Sequence, residues 1–361
     1  MWLGGDGFDM YSATADVQRC PEQWDVSNSS QYLIASANAH FRFGGSPGGF
    51  LILGNQSVTA GFLESVDFPG GVHPNTLFVN FNILHTQGGG SRMGFVLKDG
   101  ANNQVGFWSE GGTFVVTAGD IATTVLATAP AGLCPLTVAC HLQVKIVIHP
   151  TAGSVEVRRF GAATATWLVT GLNTRNGSAN SYATRIRFKS NSADGVYMDD
   201  LYWHDDTGLA PNTFMGDVRC MHYSPNADDS VQWSRNTGAT NASAVDDPPS
   251  QVGISGNDGD ATYNFSNTAG QVDRFLMAAL SPVPDSIICV QSKMNYRMDD
   301  AGPHTCRLRV TSGATVVDNP IVSCTNQYIF TQQANPVNPA TGSPWTVAEV
   351  NAMKLGYVIV T

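Results

Sequence analysis

The feature that most restricts what this chain can fold into is a period of two. In residues 141–149, Leu142, Val144, Ile146 and Ile148 fall on one side while His141, Gln143 and Lys145 fall on the other. That is the pleat of a strand with one face against a core. Residues 76–83 repeat it, placing Leu77, Val79, Phe81 and Ile83 together. Short runs rich in β-branched and aromatic residues follow at 8–11, 31–34, 40–43, 49–53, 93–97, 103–108, 154–158, 166–169, 183–188 and 196–202, between clusters of Gly, Ser, Asn and Pro. Asp99-Gly100 is a tight-turn signal that joins two of them into a hairpin. The pattern gives about a dozen strands before residue 205 and no helix, as in an antiparallel sandwich of jelly-roll type.

Residues 205–212 then gather Asp, Gly, Pro and Asn, which break regular structure. A chain of 361 residues is long for one core. The sequence therefore divides into a β-sandwich over 1–206, a linker over 207–213 and a second β-sandwich over 214–361. In the second part, strands are expected at 217–223, 273–277, 287–294, 304–310, 327–330 and 354–360, with a long polar region at 224–260. Thr346 and Glu349 have the spacing of a capping box, so 347–352 reads as a short helix. The expected class is all-β: two jelly-roll-like sandwiches in tandem, with one short helix near the C-terminus.

Charge excludes one group of partners. The net charge is −10 and no dense Lys or Arg cluster stands out, whereas a nucleic-acid site needs concentrated positive charge. No stretch approaches the roughly 18 consecutive apolar residues of a membrane span. The opening residues lack the basic and apolar regions of a secretory signal, so synthesis in a cytosol without ordinary export is expected.

Candidate chemistry is sparse. Glycoside hydrolysis needs two carboxylates at a fixed separation, and the nearest sequence pair, Glu64 and Asp67, lacks a following Glu. No catalytic residue is expected, and the chain reads as not an enzyme. Asp205, Asp206, Asp258 and Asp260 carry oxygen ligands of the type Ca²⁺ takes, but turns that cap backbone N–H groups are the plainer reading. No cofactor is expected. Trp233, alone in polar surroundings, is the candidate glycan contact. Cys134 and Cys140 have a spacing that a disulfide can close, although buried reduced thiols are the commoner use of such residues.

Several stretches carry a resemblance. Residues 196–202, Val-Tyr-Met-Asp-Asp-Leu-Tyr, followed by 205–208 and by Asn212-Thr213-Phe214-Met215-Gly216-Asp217-Val218-Arg219, resemble the domain junction of structural proteins of tailed bacteriophages. Residues 244–247 with 258–263, and 338–351, look like the same group, while the first domain is similar to concanavalin A or laminin G type jelly rolls. The resemblance implies a structural component of the virion, assembled in the host cytoplasm. It would be a tail-associated fibre, spike or baseplate protein, or alternatively a capsid decoration, a head fibre or a carbohydrate-binding adhesin. It also implies a homo-oligomer such as a trimer, other virion proteins as neighbours, and a host surface glycan as the candidate ligand.

Overall fold

The computed structural model describes residues 1–6, 24–25, 32–36, 49–53, 61–85, 92–190, 196–208, 211–247 and 258–361. The strands expected at 8–11 and 40–43, and linker positions 209–210, lie outside them. The described chain falls into two compact units, one running to Cys220 and the other from Met221 to Thr361.

The first unit holds β1 (Trp2–Asp6), β2 (Tyr32–Ser36), β3 (Gly49–Leu53), β4 (Gly61–Glu64), β5 (Thr76–His85), β6 (Arg92–Asp99), β7 (Asn102–Glu110), β8 (Thr113–Thr117), β9 (Val125–Thr128), β10 (Cys140–Val147), β11 (Gly153–Arg159), β12 (Trp167–Leu172), β13 (Arg185–Ser190) and β14 (Val196–Asp205). They form two antiparallel sheets. One has the order β12-β11-β10-β5-β14-β3-β2, with β1 also paired to β14; the other runs β4-β13-β6-β7-β8-β9. Neighbours that are distant in sequence, such as β5 and β14, mark the crossovers of a jelly roll.

Register explains why alternation was such a strong signal. Val144 lies opposite Val79, Leu142 opposite Phe81 and Ile146 opposite Leu77, so the apolar sides of β10 and β5 coincide. From the second sheet, Phe95 meets Phe81 edge-on at 6.1 Å and Phe188 at 6.2 Å. Phe188 also contacts Trp203 and Trp24. All of these side chains are buried.

The second unit contains β15 (Pro225–Ser230), β16 (Ser234–Arg235), β17 (Asn264–Phe265), β18 (Val272–Met277), β19 (Val290–Tyr296), β20 (Thr305–Ser312), β21 (Thr315–Asp318), β22 (Val322–Ser323), β23 (Ile329–Asn335), α1 (Val347–Ala352) and β24 (Lys354–Ile359). Its main sheet runs β15-β18-β24-β20-β21, with β22 on β20; β16 pairs with β17 and β19 with β23. Helix α1 begins with the expected capping box: Thr346 accepts from the Glu349 N–H and Glu349 accepts from the Thr346 N–H. Phe275, Leu308, Cys306, Met294 and Tyr357 form the core. The observed class is the expected one, all-β with a short C-terminal helix.

Two expectations change. Residues 214–223 are not the first strand of the second unit: they carry no strand, and those up to 220 pack with the first unit. The physical reason is that Phe214, Gly216 and Cys220 have partners on the outer side of the first sheet. The second unit instead starts its sheet at β15, within the stretch read as a polar loop.

Because Phe188 touches aromatic side chains from both sheets, Phe188→Ala should destabilise the first unit by about 3–5 kcal/mol. Guanidinium unfolding monitored by tryptophan fluorescence measures this; a loss below about 1 kcal/mol would contradict the packing described.

Candidate functional site

The densest set of ionisable groups in the first unit lies on the outer side of the six-stranded sheet. In β13, Ile186 and Phe188 point to the core, so Arg185, Arg187 and Lys189 point away from it. Register sets Arg187 opposite Glu64 on β4, and Arg185 opposite Lys98 on β6. Glu64 thus becomes a hub. Its carboxylate accepts from Lys98 Nζ at 2.7 and 2.9 Å, from Arg185 Nη1 at 3.3 Å and from Arg187. Glu64 is 2% and Lys98 3% exposed. Burial pulls the Lys98 ammonium below its ordinary range despite the Glu64 contact, and the Arg187 guanidinium acts in the same direction as burial.

At the rim of this cluster, Asp67 accepts from Arg185 Nε at 2.8 Å, and its side chain is 65% exposed. The Arg187 guanidinium lies 4.4 Å from the centre of the half-buried Phe62 ring. Further along, Lys189 donates to both oxygens of Asp120 and Arg92 donates to Glu110. Trp108, Val96, Val115 and Ile121 make a small apolar cluster on the same side. Gly106 is required there, because a Cβ would meet Trp108 Nε1 at 2.3 Å and Gly119 O at 2.6 Å. Glu64 and Asp67, the pair considered for hydrolysis, are thus brought together by a shared Arg185.

The junction residues occupy the outer side of the other sheet. Asp200 sits where the β14–β5 register shifts, with φ of +49°, a left-handed conformation that Asp tolerates. Its carboxylate accepts from Asn82 Nδ2 at 2.6 Å and from the Cys220 N–H at 2.7 Å. Gly216 N–H donates to Gln143 Oε1 at 3.2 Å, Asp217 lies 3.5 Å from His141 Nδ1, and Phe214 meets the Phe78 ring edge-on at 5.1 Å under the Arg158 guanidinium. Residues 211–220 therefore contact His141, Gln143 and Asp200 on the side of the sheet where Asn80 and Asn82 also lie, all of them buried. His204 stacks on Phe78 at 4.8 Å, and burial pulls its imidazole down to about 4.

The candidate calcium carboxylates are not brought together. Asp205 accepts from the Thr207 N–H at 2.9 Å and Thr207 Oγ1 at 2.7 Å, and also faces the Met1 amine. Asp206 is exposed. Asp258 accepts from Thr262 N–H and Oγ1, while Asp260 is held by Tyr328 Oη at 2.7 Å and Arg297 at 3.0 Å. Turn caps and ion pairs occupy the oxygens of Asp205, Asp258 and Asp260. Among the described residues, no group of three or more His, Cys, Asp or Glu side chains is arranged to hold a metal ion.

Trp233 is half-buried rather than an open platform: its ring meets Tyr357 at 4.5 Å and Nε1 donates to Gln271 O. Cys134 and Cys140 are buried free thiols. The hydrogen bond between them pulls the Cys140 thiol down to about 7 and pushes Cys134 up. The sequence reading missed the Glu64 hub and the Asp200 clamp. Arg185-Ile186-Arg187-Phe188-Lys189 did signal an outward charged face; its counter-ion, far away in sequence, left no local mark.

No protein-family model matches the chain, and no curated protein matches it. Solved structures do. A GH43 glycoside hydrolase engineered to display both endo-xylanase and exo-arabinofuranosidase activity is 16% identical, with a TM-score of 0.36 over 56% of this chain and 41% of its own. A GH131 β-glucanase catalytic domain from Podospora anserina is 9% identical, with a TM-score of 0.34 over 60% and 100%. CG-16, a homodimeric agglutinin from chicken liver, is 10% identical, with a TM-score of 0.26 over 40% and 99%. The chain thus spans about two fifths of the length of the GH43 protein. Likenesses of this order concern strand arrangement alone. Glycoside hydrolases are among these structures, so the expectation that the chain is not an enzyme is withdrawn, and the likeness assigns the chain no activity.

Two outcomes follow from the geometry. Glu64→Gln leaves Lys98, Arg185 and Arg187 without their common carboxylate, so denaturant unfolding should show a loss of about 3–5 kcal/mol; a neutral result would mean that the cluster is solvated. His204 is held neutral in the fold, so between about pH 6.5 and about 4 the unfolded chain takes up a proton that the folded chain does not. Stability is full above this window and falls as the pH drops through it, by about 3 kcal/mol. Unfolding midpoints measured across that range should show the slope, and His204→Gln should flatten it.

Proposed function

We propose that this chain is a surface component of a tailed phage particle, assembled in the host cytoplasm as a homo-oligomer, whose first unit faces a host glycan. The observation that carries the reading is the junction. The residues on which the resemblance to phage structural proteins rests are those that seal the first sheet: Asp200 on Cys220, Phe214 on Phe78 and Gly216 on Gln143. A motif that does this work belongs with the architecture it closes, here a jelly-roll unit followed by a second β-unit. Within the particle, a tail-associated fibre, spike or baseplate place ranks before capsid decoration.

The glycan reading has its own support at the rim of the six-stranded sheet. Exposed Asp67, the Arg185 guanidinium it binds and the Arg187–Phe62 stack put planar polar groups beside an aromatic face. That is the chemistry suited to sugar hydroxyls and ring C–H groups.

Mass spectrometry of purified particles of the encoding phage should recover this chain among the structural proteins; its absence from intact particles would overturn the particle assignment. On arrays of bacterial surface polysaccharides, the purified chain should bind at least one glycan, with Asp67→Ala weakening binding about tenfold and Trp233→Ala leaving it unchanged. Binding to no glycan would remove the second part of the reading, and shortened sugars after incubation would identify cleavage.

A further inference from the structure

Cys306 and Cys324 are adjacent in space although 18 residues apart, with their sulfurs 3.7 Å from each other. The topology causes this. Cys306 lies on β20 opposite Val322 of β22, and two residues later the Cys324 N–H donates to His304 O at 2.8 Å. The two cysteines are diagonal neighbours on the same face of one antiparallel ladder, and it is the 3.7 Å approach of their sulfurs, with a small adjustment of the backbone, that brings a bond within reach. Their surroundings differ. Cys306 is 3% exposed within the apolar cluster of Phe275, Leu308 and Tyr357, whereas Cys324 is half-buried at its edge.

From this geometry we infer that Cys306 and Cys324 are a built disulfide site, open as a dithiol under reducing conditions and closed by a small-molecule disulfide oxidant. Cys324 is the attacking sulfur because it is the reachable one. Its thiol is held below the usual range, first by the hydrogen bond it shares with Cys306 and also by His304, while burial opposes. The Cys324 thiolate attacks one sulfur of the oxidant, whose S–S bond breaks and whose other sulfur leaves with the electron pair. Cys306 then gives its proton to water, attacks Cys324 and expels the second thiolate. The protein dithiol loses two electrons and two protons, and the oxidant becomes two thiols. The closed bond ties β20 to the segment that follows β22, enclosing the β20–β21 hairpin in one covalent loop. Cys134 and Cys140 are also adjacent, but both are shut away from solvent, so they react more slowly.

The test uses the full purified chain, fully reduced and then exposed to oxidised glutathione at mildly alkaline pH, followed by alkylation, proteolysis and mass spectrometry. The expected result is a cross-linked peptide pair containing Cys306 and Cys324, two hydrogens lighter than the reduced pair. The transition of the second unit should shift up by about 5–10 °C. Cys324→Ser should abolish cross-link and shift together, and Cys134→Ser should preserve both. Persistent alkylation of both cysteines after long exposure would overturn the inference. A stable glutathione adduct on Cys324 without closure would do so as well, since it would mean that Cys306 does not reach the mixed disulfide.

Discussion

The structure of the first unit depends on burying one strand from both sides. β5 lies in the middle of the larger sheet, between β10 and β14. Its inner side, Leu77, Val79, Phe81 and Ile83, meets the other sheet, as the sequence pattern requires. Its outer side is buried too, yet it carries Asn80 and Asn82 beside His141 and Gln143 of β10. Buried polar groups need partners, and a sheet surface cannot supply all of them from its own strands. Residues 211–220 meet part of that requirement, with the Gly216 N–H on Gln143 Oε1 and the Cys220 N–H on Asp200, while Phe214 packs on Phe78. The segment between the two β-rich parts of the sequence is thus part of the first unit's closure.

The six-stranded sheet meets the same problem with charge. Three cations from β13 and β6 point away from the core, and alone they would repel one another at close quarters. A single buried carboxylate, Glu64, accepts from all three, while Asp67 takes a second contact with Arg185. Such an arrangement fixes the register of β4 on β13, because a slip of one residue would turn Glu64 inward and leave the cations unmatched.

What was legible in the sequence follows from where the stabilising contacts lie. Strands whose apolar residues alternate, such as β5, β10 and β13, announced themselves, and so did the capping box of α1, because each signal is local. β15 did not. Its sequence, Pro-Asn-Ala-Asp-Asp-Ser, has no apolar face, and it is held as an edge strand by pairing with β18, by Asp229 binding Arg274 and Lys354, and by Asp228 accepting from the N–H groups of Asn241 and Ala242. The site divided in the same way. The turn role of Asp205 could be read from its neighbours, whereas the roles of Asp200 and Glu64 depend on partners 118 and 34 residues away. Trp233 is more enclosed than its polar sequence surroundings suggest, because Tyr357, more than a hundred residues away, packs against its ring.

The second unit repeats this logic with Asp273. Fully buried, it accepts from the N–H groups of Gln232 and Trp233 on one oxygen, and from Asn241 Nδ2 and Tyr357 Oη on the other. Burial and the Asp273 charge push the Tyr357 phenol well above its usual range, which keeps it a donor. In a chain where only 13% of residues are charged, three acidic side chains, Glu64, Asp200 and Asp273, each gather donors from segments remote in sequence. A carboxylate suits this task because it accepts up to about four hydrogen bonds without donating any. Each such hub ties together loops that apolar packing alone would leave free to slide. That is how a fold built from short strands and long connections acquires one register.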